Sequence, residues 1–126
     1  MFTRIDPDHR HVSRRSSVYA RNVVAASQPL AAQAGLQAIR NGGNAVDAAI
    51  ATAITLTVVE PTMNGIGSDG FVIVADNCGI HGFNGSGRSP TAWTPERFAG
   101  LPAMPEHGWD TITVPGAVDT WVRLSE

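Results

Sequence analysis

The stretch "VVEPTMNGIGSDGFVIVAD", residues 58–76, decides how this chain is read. Its middle, Gly65-Ile66-Gly67-Ser68-Asp69-Gly70, satisfies the G-x-G-x-x-G spacing of a dinucleotide-binding turn. Such a turn needs a strand before its first glycine and a helix after its last, so that a pyrophosphate rests on the helix N-terminus. Here the order is inverted. An apolar helical run ends at Glu60-Pro61, because proline drives the residue before it out of helical geometry. The β-branched run "GFVIVAD" follows at residues 70–76 and reads as a strand. The nucleotide reading fails on this order. Gly65, Gly67 and Gly70 are read instead as structural residues of a tight entry into a strand.

Upstream, "AVDAAIATAITLTVV" at 45–59 is apolar on nearly every face, with Val46, Ile50 and Ile54 along one stripe. A helix of that kind is buried inside a larger body. Asn44 stands where an N-cap belongs, and Asp47 three residues on completes a capping-box pattern. Before it, "LAAQAGLQAIR" at 30–40 has helical propensity, and Gly42-Gly43 offers the backbone freedom that ends a helix. Ser27 is the expected N-cap and Pro29 suits the first turn. "VVAAS" at 23–27 reads as a short buried strand. Residues 1–22 form a polar, arginine-rich leader, expected to drape over the surface. Arg14-Arg15 has no apolar run after it to make an export signal, and the chain is read as cytoplasmic.

Downstream, Asp76-Asn77-Cys78-Gly79 is a turn cluster that pairs "FVIVAD" with "IHGFNG" in a β-hairpin, Gly82 marking a possible bulge. "NGSGRSPTAWTP" at 84–95 is loop by composition. Its one chemically pointed residue is Arg88, whose glycine-rich surroundings let a ligand approach the backbone. Arginine holds a carboxylate through two parallel charge-assisted hydrogen bonds; a solvated surface arginine fits the local sequence as well. Glu60 reads either as a helix-end residue or as a partner for amides of the glycine loop. Pro115-Gly116 is a turn before a last helix that begins in "GAVDTWVRLSE".

Bulk properties exclude several classes. With 126 residues, a net charge of -2 and 16% charged residues, the chain is globular in composition and has no basic footprint for nucleic acid or an anionic membrane. The longest mostly apolar stretch, 45–59, is too short to span a bilayer. The single cysteine, Cys78, leaves no disulfide framework or multi-cysteine zinc site. His9 and His11 fall in the leader, and His81 and His107 stand alone, so no metal site is expected.

Four segments in order, "ASQPLAAQAGLQAIRNGGNAVDAAIA" (26–51), "VVEPTMNGIGSDGF" (58–71), "NGSGRSP" (84–90) and "TVPGAVDTW" (113–121), resemble the N-terminal part of a γ-glutamyltransferase (γ-glutamyltranspeptidase). The resemblance runs from about Val18 to Trp121. It implies an α+β fold, the N-terminal portion of an αββα N-terminal-nucleophile hydrolase sandwich: a short strand, two helices, a β-hairpin, a loop and the start of a further helix. On this resemblance residues 23–126 are an incomplete domain of that kind. The resemblance also implies a precursor that cleaves itself, freeing a threonine at the N-terminus of a small subunit. That threonine attacks a γ-glutamyl amide such as glutathione, with its own α-amine as base, and no cofactor takes part. The small subunit of the same precursor would be the chain's partner.

Carried onto this sequence, the family's carboxylate-binding arginine falls at Arg88, which would pair with the α-carboxylate of the γ-glutamyl group. No catalytic residue is expected within the 126 residues, since no threonine here resembles a self-cleavage site. The chain by itself is therefore expected to be inactive. Two departures stand out. Family members carry Gly-Gly where this chain has Ser68-Asp69, and a glutamate where Ser89 follows Arg88. These departures make it more similar to the γ-glutamyltransferase-like and cephalosporin-acylase-like branch, whose members act on other acyl amides. A truncated, non-catalytic binding protein is the reading from a different class.

Overall fold

The computed structural model describes residues 17–126. Most of the polar leader, with His9, His11, Arg14 and Arg15, lies outside the described residues. The elements run in the order α1 (Pro29–Arg40), α2 (Ala45–Val59), β1 (Gly70–Asp76), β2 (Gly79–Gly85), α3 (Pro95–Phe98), a turn of 3₁₀ helix (Trp109–Thr111) and α4 (Ala117–Ser125). The class is α+β, and a helix precedes the glycine turn while a strand follows it.

α1 and α2 form an antiparallel pair whose shared turn is written in the sequence. At the end of α1 the Gly43 N–H reaches the Ala38 carbonyl and the Gly42 N–H that of Ile39, each at 3.0 Å. Gly42 sits at φ 97° to allow it, a Schellman closure. One residue later the reciprocal capping box forms. Asn44 Oδ1 accepts from the Val46 and Asp47 amides at 2.7 and 3.0 Å, and Asp47 Oδ2 accepts from the Asn44 amide at 2.8 Å. Two polar side chains thus satisfy amide groups that a helix start leaves unpaired.

The start of α1 differs from expectation. Gln28, not Ser27, is the N-cap, its side-chain oxygen accepting from the Leu30 amide. The Ser27 hydroxyl donates instead to the carboxylate of Glu60, the C-cap of α2. That bond pins the open end of the helix pair, and Glu60 takes no part in the glycine loop. The segment 23–27 is not a strand. A strand needs a ladder partner, and the sheet among the described residues is the β1–β2 pair alone. Val24 instead lies over Gly35 and the α1–α2 seam.

Ala31 and Gly35 of α1 and Ala48 and Thr52 of α2 are buried where the helices meet. A β-carbon at Gly35 would run into the Thr52 hydroxyl and lie 2.9 Å from both the Ala48 carbonyl oxygen and a Val24 methyl. Beyond this seam and a contact with α4, apolar side chains of α2 are left open by the described residues: Val58 is 77% exposed and Ile54 46%.

β1 and β2 pair antiparallel residue for residue, from Gly70 opposite Gly85 to Asp76 opposite Gly79. Gly82 pairs directly with Ile73, so the bulge considered there does not occur. Asp76 Oδ1 closes the turn by accepting from the Cys78 and Gly79 amides at 2.7 and 3.0 Å. Those bonds, that from Cys78 foremost, hold its carboxyl below the usual value. Val72, Val74 and Phe83 are half-buried on the ladder face toward the helices, whereas Phe71 (69% exposed) and Ile73 (79%) stand bare on the other. α4 touches both strands and α2, and so joins the two hairpins.

The loop at 89–112 is more ordered than its composition implies. α3 opens with Thr94-Pro95-Glu96, a helix-start pattern too short to stand out by periodicity. Arg97 pairs with Asp110 at 2.8 Å, and Trp93 meets Phe98 edge-on at 5.9 Å.

The Gly35 contact is open to test. Alanine normally favours a helix over glycine by about 1 kcal/mol. Here one clashing atom belongs to backbone and cannot swing away, so overpacking should win by about 1–3 kcal/mol. Gly35→Ala in the protein that carries this chain is expected to lower the urea and thermal midpoints. A raised midpoint would show that the helices do not approach this closely.

Candidate functional site

The site forms where three loops meet at the base of the β-hairpin. The first is the glycine turn at 65–70, the second "NGSGR" at 84–88, the third "TVPG" at 113–116, which leads into α4. Their joining begins with Thr120, fully buried on the first turn of α4. Its side chain rests on Gly70 and Gly85, which face each other across the ladder. A β-carbon at Gly70 would come within 2.7 Å of the Thr120 hydroxyl oxygen, and one at Gly85 would overlap it outright. Gly116 likewise has no room for a β-carbon beside the Gly85 carbonyl, nor Gly87 beside that of Val114. Close approach of backbone to backbone is what these glycines supply.

Hydrogen bonds then fix the loops. The Ser68 carbonyl accepts from the Gly116 and Ala117 amides at 3.1 and 2.9 Å, and the Arg88 carbonyl accepts from the Val114 amide at 3.0 Å. Asn84 Oδ1 accepts from the Ser86 amide at 3.0 Å and shapes the turn before Arg88. The Asp69 carboxylate accepts through one oxygen from the Gly87 amide and the Thr113 hydroxyl, each at 3.3 Å.

Of the glycines singled out from sequence, Gly70 is the one packed against by another element. A β-carbon at Gly67 would meet open space, and at Gly65 only the Gly67 amide, 3.9 Å away. Both lie beside the three-loop junction.

Arg88 sits on the wall of a groove of about 480 Å³ that runs between the 82–88 segment, Val114–Gly116 and the outer face of α4. Its side chain is exposed, and among the described residues no carboxylate lies within ion-pair distance of it. A second guanidinium, Arg123, borders the same groove but is engaged by Asp119 at 2.8 Å, one helical turn back. The groove thus offers one guanidinium with no carboxylate partner among the described residues, a group that can hold a carboxylate through two parallel hydrogen bonds. Asp69, Thr113 and Arg123 were not legible as site residues. Asp69 stood inside the decisive stretch and marked a departure from the family pattern, but its partners lie 18 and 44 residues away.

Other chemistry finds less support. Among the described residues no three His, Cys, Asp or Glu side chains gather to hold a metal ion. No helix there is long and apolar enough to cross a membrane. Cys78 is exposed at the hairpin tip, on the strand end away from the junction.

Comparison with known proteins identifies relatives of the chain. Residues 31–126 match the family model described as Gamma-glutamyltranspeptidase. The chain is 40% identical over 110 residues to the glutathione hydrolase-like YwrD proenzyme of Bacillus subtilis, covering 85% of this chain and 21% of that protein. Among solved structures, the cephalosporin acylase from Bacillus halodurans aligns with a TM-score of 0.72 at 46% identity, over 98% of this chain and 24% of its own. Helicobacter pylori gamma-glutamyltranspeptidase aligns with a TM-score of 0.74 at 28% identity, over 87% of this chain and 33% of its own. The chain spans about a fifth of the length of that curated relative. The helix pair and hairpin are accordingly part of an N-terminal-nucleophile hydrolase fold, and the chain belongs to the gamma-glutamyltranspeptidase family.

Proposed function

We propose that the protein containing this chain cleaves γ-glutamyl amides, glutathione among them, through a covalent γ-glutamyl-enzyme, and passes the acyl group to water or to an amino acid or peptide. The observation that carries this reading is the uncommitted Arg88 guanidinium on an open groove, at the position where the family resemblance puts a carboxylate-binding arginine. Arg88 holds the α-carboxylate of the γ-glutamyl group in a bidentate pair, which fixes the distance from that carboxylate to the scissile amide. The attacking hydroxyl belongs to a threonine that self-cleavage exposes at the start of a small subunit, and the free α-amine of that threonine takes the hydroxyl proton. Attack on the γ-carbonyl forms the acyl-enzyme, the proton passes to the departing amine, and water or an acceptor amine then releases the acyl group. The 126-residue stretch contributes the binding wall and not the nucleophile.

A second reading is favoured by the 46% identity to a cephalosporin acylase and by Ser68-Asp69 in place of two glycines. In it, Arg88 holds the terminal carboxylate of a glutaryl or similar acyl chain, and no α-amino group is recognised. Relative hydrolysis of γ-glutamyl and glutaryl anilides separates the two, since only the former carries that amino group.

Two outcomes are expected. Residues 1–126 expressed alone should not release 4-nitroaniline from γ-glutamyl-4-nitroanilide, while the complete, self-processed protein should, and N-terminal sequencing of its smaller chain should begin at threonine. Turnover by the isolated stretch would overturn the assignment of the nucleophile. In the complete protein Arg88→Gln should raise KM for γ-glutamyl-4-nitroanilide by about 10–100-fold with little change in kcat, and Arg88→Lys should recover part of the loss as a point charge without the fork.

A further inference from the structure

We propose that Asp69 is a positioning residue, whose carboxylate sets the place of the Arg88 loop and thereby the affinity for the substrate carboxylate. This rests on the reading of Arg88 given above. The Ser68-Asp69 pair is where the three loops of the junction are tied together. The Ser68 carbonyl receives two amides from the start of α4, and the Asp69 carboxylate receives the Gly87 amide and the Thr113 hydroxyl. Gly87 is the residue immediately before Arg88, and Thr113 immediately precedes Val114, whose amide donates to the Arg88 carbonyl. One carboxylate oxygen therefore bonds to both segments of the pairing that carries Arg88, to the backbone of one at Gly87 and to the Thr113 hydroxyl of the other.

The glycines around this point give the tie something to restrain. Residues 84–88 contain two glycines and no large apolar side chain, so the loop is held by close backbone contacts at Gly85 and Gly87 and by hydrogen bonds. A hydrogen bond to an ionised acceptor is stronger and more directional than a neutral one, and it restrains the segment without occupying the groove. Asp69 does not line the groove, so it acts on the ligand through Arg88 and not by touching it.

The test is a set of variants of the complete, self-processed protein, assayed with γ-glutamyl-4-nitroanilide. Asp69→Ala should raise KM by about tenfold with kcat within about twofold of wild type, as expected when a binding group loses its preferred position. Asp69→Asn, whose amide oxygen still accepts both bonds, should recover most of that affinity. Combining Asp69→Ala with Arg88→Gln should raise KM little beyond Arg88→Gln alone, because the two changes disable one function. Thr113→Val leaves the carboxylate but removes one of its donors, and should raise KM by a few-fold; it carries the comparison if Asp69→Ala does not accumulate. Wild-type KM in Asp69→Ala, or in Thr113→Val where it stands in, would overturn the positioning role while Arg88→Gln still shows its effect. Full additivity in the double variant would overturn it as well. An Arg88→Gln protein with wild-type KM would overturn the underlying reading of Arg88 itself.

Discussion

The arrangement of this chain depends on a place where side chains are missing. Thr120 has no room except on a pair of strand residues without β-carbons, Gly70 and Gly85. That seat brings the first turn of α4 down onto the hairpin, and the Thr120 hydroxyl completes its own bonding by donating to the Gly116 carbonyl at 2.8 Å. A buried hydroxyl without a partner would be costly, so the contact is selective for threonine in both shape and polarity. Once α4 is seated, residues 113–116 are forced against residues 86–88, and the groove beside Arg88 exists as a result. A steric fit at the base of the ladder thus produces an electrostatic feature a few residues away. Any larger residue at either glycine would lift α4 and open the junction before it touched the arginine.

Much of the local structure was legible because local rules decide it. The Schellman closure at Gly42-Gly43, the capping box of Asn44 and Asp47, the stop at Glu60-Pro61 and the turn at Asp76–Gly79 each involve groups within five residues of one another. The inverted order around Gly65–Gly70 was legible for the same reason: Glu60-Pro61 stops the helical run and the β-branched residues of 70–76 mark the strand. What was not legible depends on partners distant in sequence. Val23–Ser27 has strand composition but no strand beside it, and Ser27 gave up its capping role to reach Glu60, 33 residues on. For α3, four residues are too few for any periodic signal. Arg88 was recognisable from its motif, whereas Asp69, which ties its loop in place, was visible only as an oddity.

The apolar faces left open say how the stretch relates to the rest of its fold. α2 is apolar all round yet is covered mainly along its seam with α1 and at its contact with α4. β1 shows valines to the helices and Phe71 and Ile73 to solvent. A sheet with helices on one face and large apolar side chains bare on the other has the surface that one layer of a two-sheet sandwich presents to its partner. The solved structures that the chain resembles are about three to four times as long as the matched stretch, 33% and 24% of their chains being aligned.

The two hairpins also have a bearing on the sequence of events by which such a chain acquires its shape. The α1–α2 pair and the β1–β2 pair each join neighbours in sequence through turns of four and two residues, so closing them costs little chain entropy. The junction at Ser68-Asp69 must wait for residues 113–117, more than forty positions later. The two arms are thus local in sequence, whereas the groove wall beside Arg88 is built from contacts of long sequence separation, the kind that cost the most chain entropy to close. The groove's shape is thereby tied to the packing of the whole stretch rather than to any one loop.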